Sequence, residues 1–405
     1  MNVYCTLFDS NYLTRGLAMY RSLLETKEEF LIYIFAFDDA TKNFFHKTNF
    51  ENVVVVSMKE FETERLLRIK KTRKPNEYCY TCSCFSILHV LMNYHHREVT
   101  YIDADIFFFQ KPEILLKEFR DSGKDVMITE HRYAPEYEFY RETSGVYCVQ
   151  FMTFKNNKNG LHILNWWCDR CDEWCYEKFE DGKLGDQKYL DDWTVRFTGI
   201  HVLQNIGGGV APWNVRQYVC SAGPKVDSVP IVFYHFHAFK WYSYDEYFPV
   251  SNYYISMQVE DYIYRPYVLA MKRSIDYIRQ NYDKNFSKGF SRLKVSSDEG
   301  MEALIKNLSL NISTIKVAQH LIIYGAGYTG RGVGQYLREN GISNFEIAVS
   351  DEESTGRICF GKSVRCINDF VSYRDVAIVL IAVGEQYRKT VLDNLTQLGF
   401  SHIIG

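Results

Sequence analysis

The chain has 405 residues, a formal net charge of −3, and is 46% hydrophobic and 24% charged. A length beyond what one hydrophobic core usually serves predicts two domains. The near-neutral balance gives no bulk basicity for nucleic acid, and no apolar run approaches the roughly 18 residues of a membrane span.

From the amino end, "NVYCTLF" reads as a strand and "YLTRGLAMYRSLLET" as a helix. "EFLIYIFAF" and "NVVVVSM" are strand-like, "CFSILHVLMNYHH" is helical, and "VTYIDADIFFF" is a further strand. Then come "DVMITEH" and "GVYCVQFMTFKN", the helical run "LHILNWWCDRCDEWCYEKFED", the strand "PIVFYHFHAF", and a helix-rich stretch from about 253 to 285. Such alternation predicts an α/β fold with a largely parallel sheet over residues 1–285. Residues 286–317 are polar and lack a strand pattern, which predicts a linker. From 318 to 405 a second, smaller α/β pattern begins with "HLIIYGAGYTGRGVGQYLRENG". The start "MNVYCTLFD" lacks the charge and apolar core of a signal peptide, so a cytoplasmic protein with reduced cysteines is expected.

Four segments carry chemistry. In "VTYIDADIFFFQKP" (99–112), Asp103 and Asp105 follow an apolar strand. A buried carboxylate needs neutralising, which a divalent cation or a sharp turn into solvent achieves. Carboxylate oxygens at a strand's carboxyl end suit Mg²⁺ or Mn²⁺ beside a substrate phosphate. In "FYHFHAFKW" (233–241), His235 and His237 fall on one face of a strand, and Lys240 offers a point charge to phosphate. In "LGDQKYLDDW" (184–193), Asp186 and Gln187 stand at a turn into a helix, as sugar-hydroxyl partners or as a helix cap. "NIGGGVAPWNV" (205–215) permits close backbone approach to a ligand and presents Trp213 and Asn214, or is a plain loop.

In this order the first 285 residues resemble GT-A fold glycosyltransferases, most of all glycosyltransferase family 8 and bacterial polysaccharide glycosyltransferases. The resemblance implies a metal-dependent transfer of sugar from a nucleotide-diphosphate sugar to a saccharide or lipid-linked acceptor, with retention, in surface polysaccharide synthesis. It places the base of the nucleotide at Thr6, Phe8, Asp9, Asn11 and Tyr12, and Mn²⁺ or Mg²⁺ at Asp103, Asp105 and His237. It places the catalytic pair beside the donor sugar at Asp186 and Gln187, and a phosphate contact at Lys240. The closing segment departs from the family pattern His-x-x-Gly-x-x-Lys-Pro-Trp, so His235 stays a candidate beside His237.

"GAGYTG" (325–330) follows a strand and opens a helix, with Asp351 near the end of the next strand. Gly325, Gly327, Gly330 and Asp351 thus suit a nucleotide or NAD(P), or an architectural or oligomerising module that resembles small Rossmann units. An oxidoreductase or epimerase working through this motif, and a non-catalytic sugar-binding protein, are the competing functions. Cys168, Cys171 and Cys175 share a helix face and read as core thiols. The basic stretch 65–82 suits phosphates, including those of a lipid-linked acceptor at a membrane's inner face, or is a solvated loop.

Overall fold

Seven strands form the larger sheet in the order β3-β2-β1-β4-β7-β6-β8. They are β1 (Asn2–Phe8), β2 (Phe30–Ala36), β3 (Val53–Ser57), β4 (Glu98–Ile102), β6 (Val126–Glu130), β7 (Tyr147–Lys155) and β8 (Ile200–Val202). Neighbours are parallel except where β7 meets β4 and β6. The computed structural model describes residues 1–250, 253–291, 299–350 and 355–405. The chain divides into two units, Met1–His237 with Tyr253–Gly289, and Ala238–Asn252 with Phe290–Gly405.

Every residue of β1 is buried, as a central strand covered on both faces requires. Helix α1 (Leu13–Glu25) returns along it, and Gly16 lets the helix lie on the Phe8 ring, which a Cβ would overlap. A 20-residue helix, Pro75–Tyr94, leads into β4, with proline in its first turn where a missing N–H costs nothing. It buries Cys82, Cys84, Phe85, Ile87, Val90 and Leu91, each large aliphatic contributing roughly 1.5–3 kcal/mol. Helix Lys158–Glu173 is capped by Asn157, which accepts from the Gly160 N–H at 2.8 Å. It ends earlier than its composition predicts, because Trp174 turns to extended backbone.

The stretch 98–108 is two strands, not the one that its apolar run predicts. The main sheet loses it at Ile102; after a turn at Asp103–Asp105, β5 (Ile106–Phe108) pairs antiparallel with Phe233–His235. That strand is also shorter than predicted, since Ala238 adopts φ +58.

The second unit holds a five-stranded parallel sheet around His320–Tyr324, with helices Tyr328–Glu339 and Glu385–Gln397. Part of the stretch expected as a linker is helical there. Helices Glu299–Leu310 and Ile312–Lys316 bury Leu304, Leu308 and Ile315 in this unit's core. The hairpin Lys240–Ser243/Glu246–Phe248 also belongs to this unit. Its Glu246 is buried, pairs with the Arg331 guanidinium and accepts the Phe360 N–H. Among the described residues no helix is long and apolar enough to cross a membrane.

Candidate active site

Strands β1 and β4 are parallel neighbours, so the loops after Phe8 and Ile102 leave the same edge of the sheet. After β1, the Asp9 carboxylate accepts the Asn11 backbone N–H at 2.9 Å, the Asn11 side-chain amide at 2.8 Å and the Tyr12 N–H at 3.3 Å. This turn presents Asn11 and Tyr12 outward, both exposed. Thr6 and Phe8 lie below it, buried within β1.

After β4, Asp103 and Asp105 meet His235. One ligand atom from each lies within 4.8 Å of the others. The His235 Nε2 stands 3.2 Å from Asp105 Oδ1 and 3.9 Å from Asp103 Oδ2. On its other side His235 Nδ1 donates to the Gln150 Oε1 at 2.9 Å, which directs Nε2 at the carboxylates. Gln150 is fully buried in β7, whose antiparallel run sets its carbonyl to accept the Asp103 N–H at 3.1 Å. Two carboxylates and an imidazole nitrogen are a donor set that fits Mn²⁺ or Mg²⁺. The histidine of this group is His235, where the resemblance implies His237. The His237 ring centroid lies 5.9 Å from that of His235 and 5.5 Å from that of Trp213.

Electrostatics mark the same edge. Burial, then repulsion by Asp105, raise the Asp103 carboxyl to about 6, against the pull of His235. Burial opposes the charge of Asp105, yet His235, its hydrogen bond, His237 and Arg15 together hold that carboxyl below its ordinary value. Burial likewise opposes a charged His235, and Asp105 outweighs it, so the imidazole is held well above its ordinary value.

Asp186 is brought to this cluster. Burial, then the charge of Asp103, raise its carboxyl to about 7. Ser83 and the backbone N–H groups of Asp186 and Gln187 pull it the other way. Ser83 Oγ donates to the Tyr101 hydroxyl oxygen at 3.5 Å, and both hydroxyls favour the charged form of an acid here, Ser83 that of Asp186 and Tyr101 that of Asp103. Trp167 Nε1 donates to the Asp186 carbonyl at 2.9 Å, and Gln187 Nε2 donates to the Ser144 carbonyl at 2.6 Å. Gln150, Ser83 and Tyr101 escape sequence reasoning. Only the polar type in an apolar strand or helix marks them.

Other expected groups fall elsewhere. Lys240 lies in the hairpin of the second unit, opposite Phe248. Trp213 and Asn214 are buried, both donating to the His131 carbonyl, at 3.0 and 2.8 Å. Arg65 and Arg68 in the basic stretch are paired with Asp169 and Asp172 of helix Lys158–Glu173. Cys168, Cys171 and Cys175 are fully buried, with Cys84 from the facing helix, in one apolar cluster. In the second unit Gly325 has φ +128 and a Cβ there would overlap the Ala382 carbonyl; one on Gly330 would overlap the Gly325 carbonyl. Gly327 has open space around it. Asp351 lies outside the described residues.

No protein-family model matches the chain. It is 30% identical over 255 residues to YfnF of Bacillus subtilis, an alignment covering 60% of this chain and 84% of that protein. The chain belongs to the same family as YfnF. YfnD of the same organism is 29% identical over 300 residues, 71% of this chain and 94% of its own length; both relatives are described as uncharacterized. Among solved structures, the glycosyltransferase GlyE of Streptococcus pneumoniae is 10% identical with a TM-score of 0.41, covering 98% of this chain and 99% of GlyE. A likeness this low bears on neither substrate nor mechanism.

Proposed function

We propose that this member of the YfnF family is a metal-dependent glycosyltransferase. In this reading the first unit moves a sugar from a nucleotide-diphosphate sugar to a saccharide or lipid-linked acceptor. The observation that carries it is the convergence of Asp103, Asp105 and His235 Nε2 at the sheet edge that also carries the Asp9–Tyr12 turn. Open α/β sheets take their ligands at that edge. The setting in surface polysaccharide synthesis comes from the family-8 resemblance alone.

Asp103, Asp105 and His235 would hold the cation. When bound, it supplies Lewis-acid neutralisation of the charge that builds on the departing diphosphate. Asp9, Asn11 and Tyr12 orient the base, which fixes the donor before reaction. Asp186 and the Gln187 segment, tied to Trp167 and Ser144, hold the sugar. The bond from the anomeric carbon to the phosphate oxygen breaks, its electron pair leaving with the diphosphate. The acceptor oxygen bonds the same carbon from the same face, and its proton passes to the leaving phosphate oxygen, giving retention.

Purified protein incubated with a panel of nucleotide sugars and Mn²⁺ tests the reading. Donor hydrolysis or transfer is expected for one donor class, and is expected to fall at least ~100-fold in Asp105→Asn or on chelation. Turnover that persists unchanged in Asp105→Asn with chelator present would refute it.

A further inference from the structure

The end of the first unit lies across the Asp9–Tyr12 turn. After helix Arg265–Asn281 the chain turns at Asp283, where the Phe286 N–H bonds the Asp283 carbonyl at 2.9 Å. Arg279 Nε holds the Phe286 carbonyl at 2.9 Å, and the Phe286 ring is buried. That anchor delivers residues 287–289 to the strand edge. There Lys288 Nζ donates to the Ser10 hydroxyl oxygen at 2.7 Å. The Ser10 hydroxyl itself donates to Asp38, so its oxygen is left to accept from lysine. The Gly289 carbonyl accepts from Arg15 Nη1 at 3.2 Å. A Cβ on Gly289 would come within 2.8 Å of the Asn11 carbonyl, and its φ of +89 already favours glycine. The contact is therefore built at three successive points, an anchor, a lysine and a glycine, over one turn.

The charges at this edge need a cationic counterpart if an anion is to enter. Asp9, Asp103, Asp105 and Asp186 are all carboxyls. Arg15, on the first turn of α1, is only 6% exposed; its guanidinium lies over the Tyr12 ring at 4.9 Å and favours the charge of Asp105. Arg15 thus acts on both the turn and the acidic cluster, while the exposed Lys288 stands at Ser10. A lysine carries three N–H donors, and the Ser10 contact uses one.

We propose that residues 286–289 form a donor-side strap, in which Lys288 and Arg15 meet the phosphates of a nucleoside diphosphate whose base rests on the Asp9–Tyr12 turn. This rests on the transferase reading of the edge. It assigns phosphate recognition to the tail of the first unit, with Gly289 as the point that lets the tail approach Asn11. Part of nucleotide affinity then persists without a cation, discriminates diphosphate from nucleoside, and falls with salt.

Calorimetric titration of the full chain with nucleoside diphosphates and the matching nucleosides, in chelator and again with Mn²⁺, tests this. The parent is expected to prefer diphosphate over nucleoside even in chelator. Lys288→Ala is expected to lose about tenfold in diphosphate affinity with nucleoside affinity unchanged, and Lys288→Arg to restore most of it. Gly289→Val is expected to weaken both ligands, by lifting the strap. If Lys288→Ala binds the diphosphate as the parent does, while the parent still discriminates and responds to Mn²⁺, the strap is wrong and the transferase reading stands. If the parent binds no diphosphate under either condition, both fall.

Discussion

Gln150 does two things at one position: its carbonyl takes the Asp103 N–H, and its side-chain oxygen takes the Nδ1–H of His235. With Nδ1–H held by Gln150, the ring presents Nε2 to a cation, which takes the place of the proton that Asp105 favours there. Gln150→Leu is therefore expected to weaken Mn²⁺ binding by about 10–100-fold, and Gln150→Glu, which keeps an acceptor, to retain it. Unchanged Mn²⁺ affinity in Gln150→Leu would contradict this role. Asp186 shows the cost of the same cluster. Its carboxyl sits near 7 in the fold against 3.8 for the free group, so between those values the folded chain holds a proton the unfolded chain lacks. Stability from this group is present at pH 4 and is lost as pH rises towards 7. Asp186→Asn removes that penalty. In chelator at pH 8 it is expected to be more stable by roughly 1–3 kcal/mol, with the difference vanishing near pH 4, as thermal unfolding would read. A variant equal to or less stable than the parent at pH 8 would contradict it. The aspartates could be singled out from sequence because paired carboxylates after an apolar strand are conspicuous. Gln150 could not, because a glutamine inside "VYCVQFMTF" carries no sign of its partner 85 residues away.

At the scale of elements, strand ends decide what the sequence shows. His235 and His237 share a face only while the chain remains a strand, and the strand stops at His235 before the turn at Ala238. Period-two reasoning therefore favours neither histidine beyond that point. His235→Ala is expected to abolish the Mn²⁺ site, whereas His237→Ala is expected to leave its affinity within about threefold of the parent, because the grouped ligand atoms come from Asp103, Asp105 and His235. The split of 98–108 into two strands has the same origin, because an apolar run does not record which sheet each half joins. In the glycine motif, two of three glycines have a packing reason. Gly330→Ala is expected to destabilise the second unit by at least ~2 kcal/mol, because a Cβ would overlap the Gly325 carbonyl, whereas Gly327→Ala is expected to cost under about 1 kcal/mol. A nucleotide affinity lost in Gly327→Ala without loss of stability would mark that loop as a ligand site; equal destabilisation by both would contradict the packing account.

Across the whole molecule, the alternation of strands and helices made the α/β class readable, because parallel pairing with crossover helices imposes that pattern. The reversed direction of β7 was not readable, since an antiparallel insertion leaves the same apolar run. Nor was the membership of the Lys240–Phe248 hairpin, which follows His237 in sequence but buries Glu246 against Arg331 of the second unit. Pairing of a buried acid with a distant base is a tertiary fact that local composition cannot carry. The account rests on one edge of one sheet, where one loop and one returning strand bring three ligand atoms together. Manganese titration followed by electron paramagnetic resonance tests this most directly. The account predicts one tightly bound ion per chain, with affinity falling at least ~100-fold in Asp105→Asn and in His235→Ala. Binding of parent strength in both variants would contradict it.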